Sequence, residues 1–253
     1  MLVLLPPSET KRAGGSGAPL DLEALSFREL TAVRATLVDA TVALAADPVS
    51  AVRALKLSHR QSAEVERNRV LRESPTMPAL DRFTGVLYDA LDAGTLDDQA
   101  RRFAHEHVSV HSALFGLVSA LDPIPAYRLS HDSRLPGVGL RRAWRGPVGE
   151  ILASRADLIV DLRSEAYVDL GPAAAHDRSV FVRVVAVDEA GRRRALNHFN
   201  KRAKGLFTRA MLESRPTIET LDDLLAWAGS AGIQLKLGGR RDDGSPRELE
   251  LVA

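Results

Sequence analysis

Two runs of apolar and β-branched residues limit what this chain can fold into. Residues 156–164 read ADLIVDLRS and residues 179–187 read SVFVRVVAV. Runs this apolar are typical of strands that are buried on both faces of a sheet. Helices must cover such strands, and the first half of the chain shows helical spacing, for example over residues 26–46. We therefore predict a mixed α/β fold.

The remaining segments predict one domain over residues 1–253, with a helix-rich first half and a strand-rich second half around one mixed sheet. Residues 1–5, MLVLL, predict a short buried strand that joins the later sheet and ends at a double proline. The helices predicted in the first half are 26–46, a short one from Pro48, one capped by Ser58 and running to about 71, 79–91 and a long one at 97–118. The second half predicts a strand at RALNHF, a helix from Lys201 to about 214 with Asn200 as its N-cap, a helix at 217–228, and a closing hairpin of IQLKL and RELELV.

Composition excludes several classes of protein and site. The chain has no cysteine, which excludes disulfides, thiolate nucleophiles and cysteine-ligated metals and suits a cytoplasmic location. No apolar run approaches the roughly 18 residues that a membrane span needs, so we expect no membrane association. The formal net charge is +1, so any site for an anion must be a local cluster of cations.

One such cluster lies near the end of the chain. Between residues 192 and 215 there are eight Lys or Arg residues and one acid, Glu213. A helical wheel predicts a core face of Ala203, Leu206, Phe207 and Ala210 and an opposite basic arc of Lys201, Arg202, Lys204, Thr208 and Arg209. Gly205 falls within that arc, where it would let another group approach the backbone, and the helix start favours an anion. A solvated basic face is the alternative interpretation.

Two loops after predicted strands carry further candidates. PPSETK supplies Ser8, Glu9, Thr10 and Lys11, and VDLRSEAY supplies a second set that includes Arg163, Ser164 and Tyr167. Ligands of α/β proteins bind beyond the carboxyl ends of strands, although either loop could be ordinary surface. The phosphate-loop, nucleophile-elbow and dinucleotide-binding motifs are all absent.

The segment HEHVSVH raises the question of a metal. On the predicted 97–118 helix His107 and His111 would share one face, but Glu106 falls outside the H-E-x-x-H order of zinc proteases. We interpret these residues, with His105, as solvent-facing or core-edge histidines, and we expect neither a metal nor a cofactor.

Five ordered segments together resemble one family. MLVLLPPSETK, FTGVLYDAL, SALFGLVSALDPIPAYRLSHDSRLPG, IVDLRSEAY and NHFNKRAKGLFTR are similar, in that order, to landmarks of the YaaA-like or UPF0246 proteins, known as peroxide-stress proteins. The resemblance implies a mixed α/β domain with a basic cleft. For some members it also implies binding of double-stranded DNA through a helix-hairpin-helix-like element. The corresponding region here, LKLSHRQSAEVERNRVL, lacks the hairpin glycines.

Other positions also depart from the family pattern. Ser8-Glu9-Thr10-Lys11-Arg12 stands where relatives commonly read S-E-G-K-T, and Ser119 and Ala120 stand where an Arg and a Pro are expected. The residues that remain at matching landmarks are Lys11, Tyr127, Arg128, Asp161, Arg163, Lys201, Lys204 and Arg209. We interpret the chain as a divergent member whose ligand has shifted.

Two functions follow as hypotheses. The first is an enzyme of specialised metabolism, as the resemblance implies for some relatives, which closes a ring such as an aziridine and expels sulfate or phosphate from a small anionic substrate. Its catalytic residues would be Glu9, Lys11, Asp161 and His198, with Glu9 or His198 accepting a proton. Its substrate-binding residues would be Ser8, Tyr127, Arg128, Arg163, Ser164, Lys201, Lys204 and Arg209.

The second hypothesis is a non-catalytic binder of double-stranded DNA that protects against peroxide damage. A scaffold or chaperone for a partner enzyme is a third interpretation. The first two differ in geometry. An enzyme needs the cations to converge on an enclosed pocket, whereas a DNA binder needs them spread along an open groove.

Overall fold

A mixed sheet of eight strands runs through the part of the chain that the computed structural model describes, residues 1–174, 176–187, 193–195, 199–239 and 246–252. The strands in chain order are β1 (Leu2–Leu5), β2 (Met77–Pro78), β3 (Val108–Ser112), β4 (Gly116–Ser119), β5 (Pro123–Ile124), β6 (Ile159–Asp161), β7 (Ser179–Val187), β8 (Arg193–Ala195), β9 (Leu235–Leu237) and β10 (Arg247–Val252). The sheet order is β4-β3-β1-β6-β7-β10-β9, with β8 added to β7. β2 and β5 form a separate two-stranded ribbon.

Helices account for most of the rest of the fold. They are α1 (Thr31–Ala45), α2 (Pro48–Ala54), α3 (Glu64–Arg69), α4 (Ala79–Arg82), α5 (Val86–Leu91), α6 (Asp98–His107), α7 (Leu140–Ser154), α8 (Glu165–Val168), α9 (Phe199–Ser214) and α10 (Leu221–Ser230). The mixed α/β class predicted from the sequence is confirmed. Among the described residues, no helix combines the length and apolar character needed to cross a membrane.

The central position of β1 decides where a site can form. β1 pairs in parallel with β3 on one side and with β6 on the other, and β6, β7 and β10 continue the parallel run. The prediction that residues 1–5 join the later sheet is therefore confirmed. Leu4 lies opposite Asp161 in the register, so the loops that follow β1 and β6 leave the sheet side by side. This edge is where parallel sheets usually bind ligands.

Local sequence signals explain several helix ends. Asp47 accepts hydrogen bonds from the backbone N–H groups of Val49 and Ser50, and Pro48 occupies the first position of α2, as predicted. Thr220 and Asp223 form a reciprocal capping box at the start of α10. By contrast, Asn200 lies in the first turn of α9, which begins at Phe199, so its prediction as an N-cap is wrong.

The long helix predicted at 97–118 is also wrong. The helix stops at His107, and residues 108–119 form the antiparallel pair β3 and β4. These residues are buried on both faces, so their apolar pattern shows neither a period of two nor one of 3.6 and does not separate strand from helix. The helix predicted at 79–91 is interrupted, because Gly85 has a φ of 97° between α4 and α5. The helix predicted after Ser58 is shorter than expected, since α3 spans only Glu64–Arg69.

Two buried arginines fasten loops to the core. Arg34 donates hydrogen bonds to the carbonyl oxygens of Ser26, Phe115 and Leu117 at 2.6–2.8 Å. Arg82 donates to four carbonyl oxygens, those of Arg12, Gly14, Pro75 and Ile124, at 2.6–3.0 Å. Burial lowers the pKa of both guanidinium groups to about 10. Arg82 thereby fixes the far end of the loop that follows β1.

Candidate functional site

A cleft of about 440 Å³ opens beside the carboxyl ends of β1 and β6. The loop after β1, the segment after β6, the loop at residues 130–131 and the first turns of α9 all contribute to its wall. The lining residues are Pro6, Pro7, Ser8, Glu9, Thr10, Ser130, His131, Ser164, Tyr167, Asn200, Lys201 and Lys204. The structure thus brings together Ser8, Glu9, Ser164, Lys201 and Lys204 among the residues predicted from the sequence.

Lys11 supports the loop after β1 from beneath. Its ammonium donates to the carbonyl oxygens of Ser8 at 2.8 Å and Glu9 at 3.1 Å, and it lies 4.1 Å from the centroid of the Tyr127 ring. Burial, and then the charge of Arg128, lowers the pKa of Lys11 to about 7. Lys11 therefore holds the backbone of the cleft wall, and it does not itself line the cleft.

Glu9 is the carboxylate of the cleft. Its side chain is 62% exposed, and its Oε2 lies 2.8 Å from Nη2 of the buried Arg128. Asn68 fixes the backbone of Arg128 on both sides, by accepting its N–H at 2.8 Å and donating to its carbonyl oxygen at 2.7 Å. The salt bridge gives the Glu9 carboxylate a defined orientation at the mouth of the cleft.

Asp161 and Arg163 form a buried pair below the cleft. Arg163 donates to both carboxylate oxygens of Asp161, at 2.9 and 2.6 Å, and to the carbonyl oxygen of Gly171 at 2.8 Å. The arginine is fully buried, so the structure does not present it to the cleft as the sequence predicted. The pair instead locks the turn that delivers Ser164 and Tyr167.

The histidines of HEHVSVH do not share a helix face. His111 lies on β3, fully buried, with Nδ1 2.8 Å from Nη1 of Arg163, and burial together with that cation holds its pKa well below the usual value. His111 is therefore neutral, and its Nδ1 accepts the hydrogen bond. His107 is the last residue of α6. Its Nδ1 lies 3.0 Å from the carbonyl oxygen of Met1. Within the described ranges, no group of three potential metal ligands occurs.

The helical-wheel prediction for α9 is wrong for part of each face, although Phe207 is buried and Lys201 and Arg202 are exposed as predicted. Lys204 and Thr208 are buried, whereas Leu206, assigned to the core face, is 41% exposed. The Lys204 ammonium donates to the carbonyl oxygen of Arg163 at 3.3 Å. Burial lowers its pKa to about 8, against the opposing effect of Asp161. Lys201 stays exposed at the entrance of the cleft, so this helix start places one buried and one exposed cation in the same cleft.

Gly205 provides room for a helix and not for a ligand. A Cβ at this position would lie 2.2 Å from the carbonyl oxygen of Leu87 and 2.9 Å from Cβ of Ala90. Both belong to α5, so the glycine allows α5 and α9 to touch through their backbones. The expected close approach exists, but the approaching group is part of the protein.

Two further predicted residues do not line the cleft, and one lies outside the described residues. Arg209 donates to the carbonyl oxygens of Leu91 and Asp92 and to Thr95 at 2.9–3.1 Å, beyond the end of α5. Tyr127 is buried, with its hydroxyl 2.7 Å from Oγ of Ser112, and burial raises its pKa. His198 lies outside the described residues.

Seven lining residues were not among the predicted catalytic and binding residues, although two of them, Thr10 and Tyr167, belong to the candidate loops; the seven are Pro6, Pro7, Thr10, Ser130, His131, Tyr167 and Asn200. The rings of His131 and Tyr167 meet edge to face with centroids 5.5 Å apart. Oδ1 of Asn200 is buried, and no donor in the described part of the chain reaches it. The sequence places His131 between Ser130 and Asp132 in a polar loop. This pattern could have predicted that the loop contributes to a binding site.

Comparison with known proteins decides the family. The model of the family described as "Peroxide stress protein YaaA" matches residues 1–233. The chain belongs to the YaaA family. A UPF0246 protein of Corynebacterium glutamicum strain R is 43% identical over 238 residues, which are 92% of this chain and 94% of that protein. A UPF0246 protein of Streptomyces coelicolor is 39% identical over 260 residues, covering 100% of this chain and 98% of the relative.

In this member of the YaaA family, three cations of the region expected to contain a helix-hairpin-helix-like element are already paired. Lys56 forms an ion pair with Asp132, and Arg67 and Arg69 pair with glutamates of α3. α2 and α3 are joined by residues 55–63, which include a short 3₁₀ turn at His59–Gln61. The three ion pairs offset much of the positive charge that this surface would present to a phosphate backbone.

Proposed function

We propose that the cleft binds a small anionic substrate and that this protein is an enzyme acting on it. The observation that carries the proposal is the convergence of Lys201 and Lys204 on one cleft with the Glu9 carboxylate. The cleft volume of about 440 Å³ lies in the range of small-molecule sites. Lys204 is only 4% exposed, so an anion must enter the cleft to reach its ammonium.

The same burial weighs against DNA as the ligand. Phosphates of a duplex are contacted by side chains that extend from a protein surface. Lys11, Arg128 and Lys204 are all buried, and Arg163 is enclosed entirely. Most of the cations at the family landmarks are therefore turned away from any surface that a duplex could contact, and Lys204 is reached only through the cleft.

The groups of the cleft suit an intramolecular displacement. An amine of the substrate attacks a carbon that bears a sulfate or phosphate ester, so a C–N bond forms as the C–O bond breaks. The electron pair of the broken bond leaves with the anion, which Lys201 and Lys204 stabilise. The proton released from nitrogen passes to the Glu9 carboxylate. Holding amine and carbon together supplies much of the rate gain, because orientation replaces a second-order encounter.

A pair of binding measurements tests the proposal. Binding of inorganic sulfate and phosphate is followed by thermal shift and calorimetry for the wild type, for Lys201→Ala/Lys204→Ala and for Arg202→Ala. Arg202 is an exposed cation of the same helix that does not line the cleft, so it controls for general loss of charge. We expect the double variant to lose at least tenfold in anion affinity and Arg202→Ala to keep it.

A measurement of duplex DNA binding separates the enzyme hypothesis from the DNA-binding hypothesis. Anisotropy of a short fluorescent duplex is measured at about 50 and 200 mM salt with the same three proteins. We expect no duplex binding at low salt. Micromolar, salt-sensitive binding that both Lys201→Ala/Lys204→Ala and Arg202→Ala weaken would replace the enzyme proposal with the DNA hypothesis.

A further inference from the structure

A second cavity, of about 330 Å³, lies beside the cleft and shares a wall with it. The residues common to both are Pro6, Pro7, Ser8, Thr10 and Lys201. The remaining lining comes from the start of α5 and the residues before it, Thr84, Gly85, Val86, Leu87 and Tyr88. The two cavities are therefore neighbouring parts of one binding region, which we call the cleft and the side cavity.

Hydroxyl groups build the ridge between them. Oγ1 of Thr84 donates to Oγ1 of Thr10 at 2.9 Å, and Oγ of Ser8 lies 3.2 Å from that same Thr10 oxygen. A Cβ on Gly85 would lie 3.4 Å from Oγ of Ser8, and the φ of 97° at Gly85 turns the chain into α5 at this point. The ridge is thus fixed from both sides.

The side cavity differs from the cleft in chemistry. Lys201, which belongs to both, is the one charged residue among its lining residues, all of which are described. Val86 is 43% exposed and is one of four exposed large hydrophobic side chains among the described residues. The Tyr88 hydroxyl donates to the carbonyl oxygen of Pro6 at 2.8 Å, so this tyrosine presents carbon and not a free polar group. The cavity offers apolar surface next to a cation.

We infer that the side cavity is a specificity subsite for an apolar substituent of the anionic substrate. The substrate class is an alkyl or aryl ester of phosphate or sulfate. Its anion lies at Lys201 and Lys204, and its apolar group crosses the ridge to contact Val86. This inference rests on the proposed function, since it needs the anion to be bound in the cleft.

A chain-length series tests the inference. Calorimetry measures inorganic phosphate and methyl, butyl and hexyl phosphate with the wild type, Val86→Asn and Val49→Asn. Val49 is 72% exposed on α2 and lines neither cavity, so it is the matched control. In the wild type we expect Kd to tighten by about fourfold for each methylene that is buried, which is about 0.8 kcal/mol. Val86→Asn removes most of this gain and leaves inorganic phosphate unchanged, and Val49→Asn retains the gain.

The outcomes distinguish the two proposals. If the wild type binds none of the anions, the proposed function fails and takes the subsite with it. If inorganic phosphate binds but chain length has no effect, the cleft stands and the subsite is refuted. If the chain-length gain persists in Val86→Asn, the apolar group binds elsewhere and the subsite is again refuted.

Discussion

Replacing Gly205 with alanine should destabilise this protein, although the same change stabilises an ordinary helix. The new Cβ would lie 2.2 Å from the carbonyl oxygen of Leu87. That contact must lengthen by about 0.8 Å to reach even 3.0 Å, and the atom in the way is backbone, which does not rotate aside. The helices α5 and α9 must therefore separate along their contact.

The magnitude follows from two opposing effects. Overpacking a tight contact costs about 1–3 kcal/mol, and a rigid backbone partner places this site at the upper end. In a helix interior, alanine is about 1 kcal/mol more favourable than glycine, and this difference stabilises the variant. The free energy of unfolding should fall by about 2 kcal/mol, because the steric cost exceeds the gain in propensity.

Urea unfolding of Gly205→Ala and of Gly229→Ala measures the difference. Gly229 lies in the last turn of α10, and outside its chain neighbours and its own helix backbone a Cβ there meets nothing within 4 Å. Its replacement should be neutral or stabilise by up to about 1 kcal/mol. If Gly205→Ala unfolds at the same urea concentration as the wild type or a higher one, with an unchanged slope, the helix contact does not have the role assigned to it here.

Four further predictions concern charge and capping. Phosphate affinity should fall as pH rises through about 8, where Lys204 loses its proton. Calorimetry should show that the phosphate affinity of Lys204→Arg no longer depends on pH in this range. Burial lowers the pKa of Lys11 to about 7, so above that pH Lys11 binds more protons in the unfolded chain than in the folded one. The free energy of unfolding should therefore rise from pH 7 towards 10, and urea titrations of Lys11→Met should show a flatter rise. Arg82→Met removes the donor from four carbonyl oxygens, of which that of Ile124 is buried, and should cost roughly 3 kcal/mol in chemical unfolding; a loss under 1 kcal/mol would contradict its fastening role. Thr220→Ala breaks the capping box with Asp223 and should cost about 1 kcal/mol, read from the urea midpoint.

The sequence predicts those parts of the fold in which a short run of Leu, Ile, Val or Phe stands alone or a terminus carries its own signal. The runs at 156–164 and 179–187 predict central strands, and Pro48 predicts a helix start. Residues 108–119 were assigned wrongly because they follow the helical segment of α6 with no Gly or Pro before Gly116, and both faces of β3 and β4 are buried. Without an exposed face, the choice between strand and helix depends on partners distant in sequence.

The candidate site shows the same limit. The loop position of Ser8 and Glu9 follows from the strand before them, and the structure places both in the cleft. The orientation of α9 does not follow, because Lys204 and Thr208 are buried by contacts with α5 and with the turn after β6. A helical wheel assumes that cations face water, and here the buried ammonium finds a carbonyl oxygen instead.

The central position of β1 has a consequence for how the chain is made. β1 leaves the ribosome before both of its partners in the sheet, residues 108–110 and 159–161. At about 5–20 residues per second, roughly a hundred residues of synthesis separate β1 from β3 by about 5–20 s. During that interval the nascent polypeptide carries Leu2, Val3, Leu4 and Leu5, all buried in the finished sheet, without either neighbour. β1 thus gains its second neighbouring strand only after residue 161 has been synthesised, so the parallel part of the sheet forms late during translation.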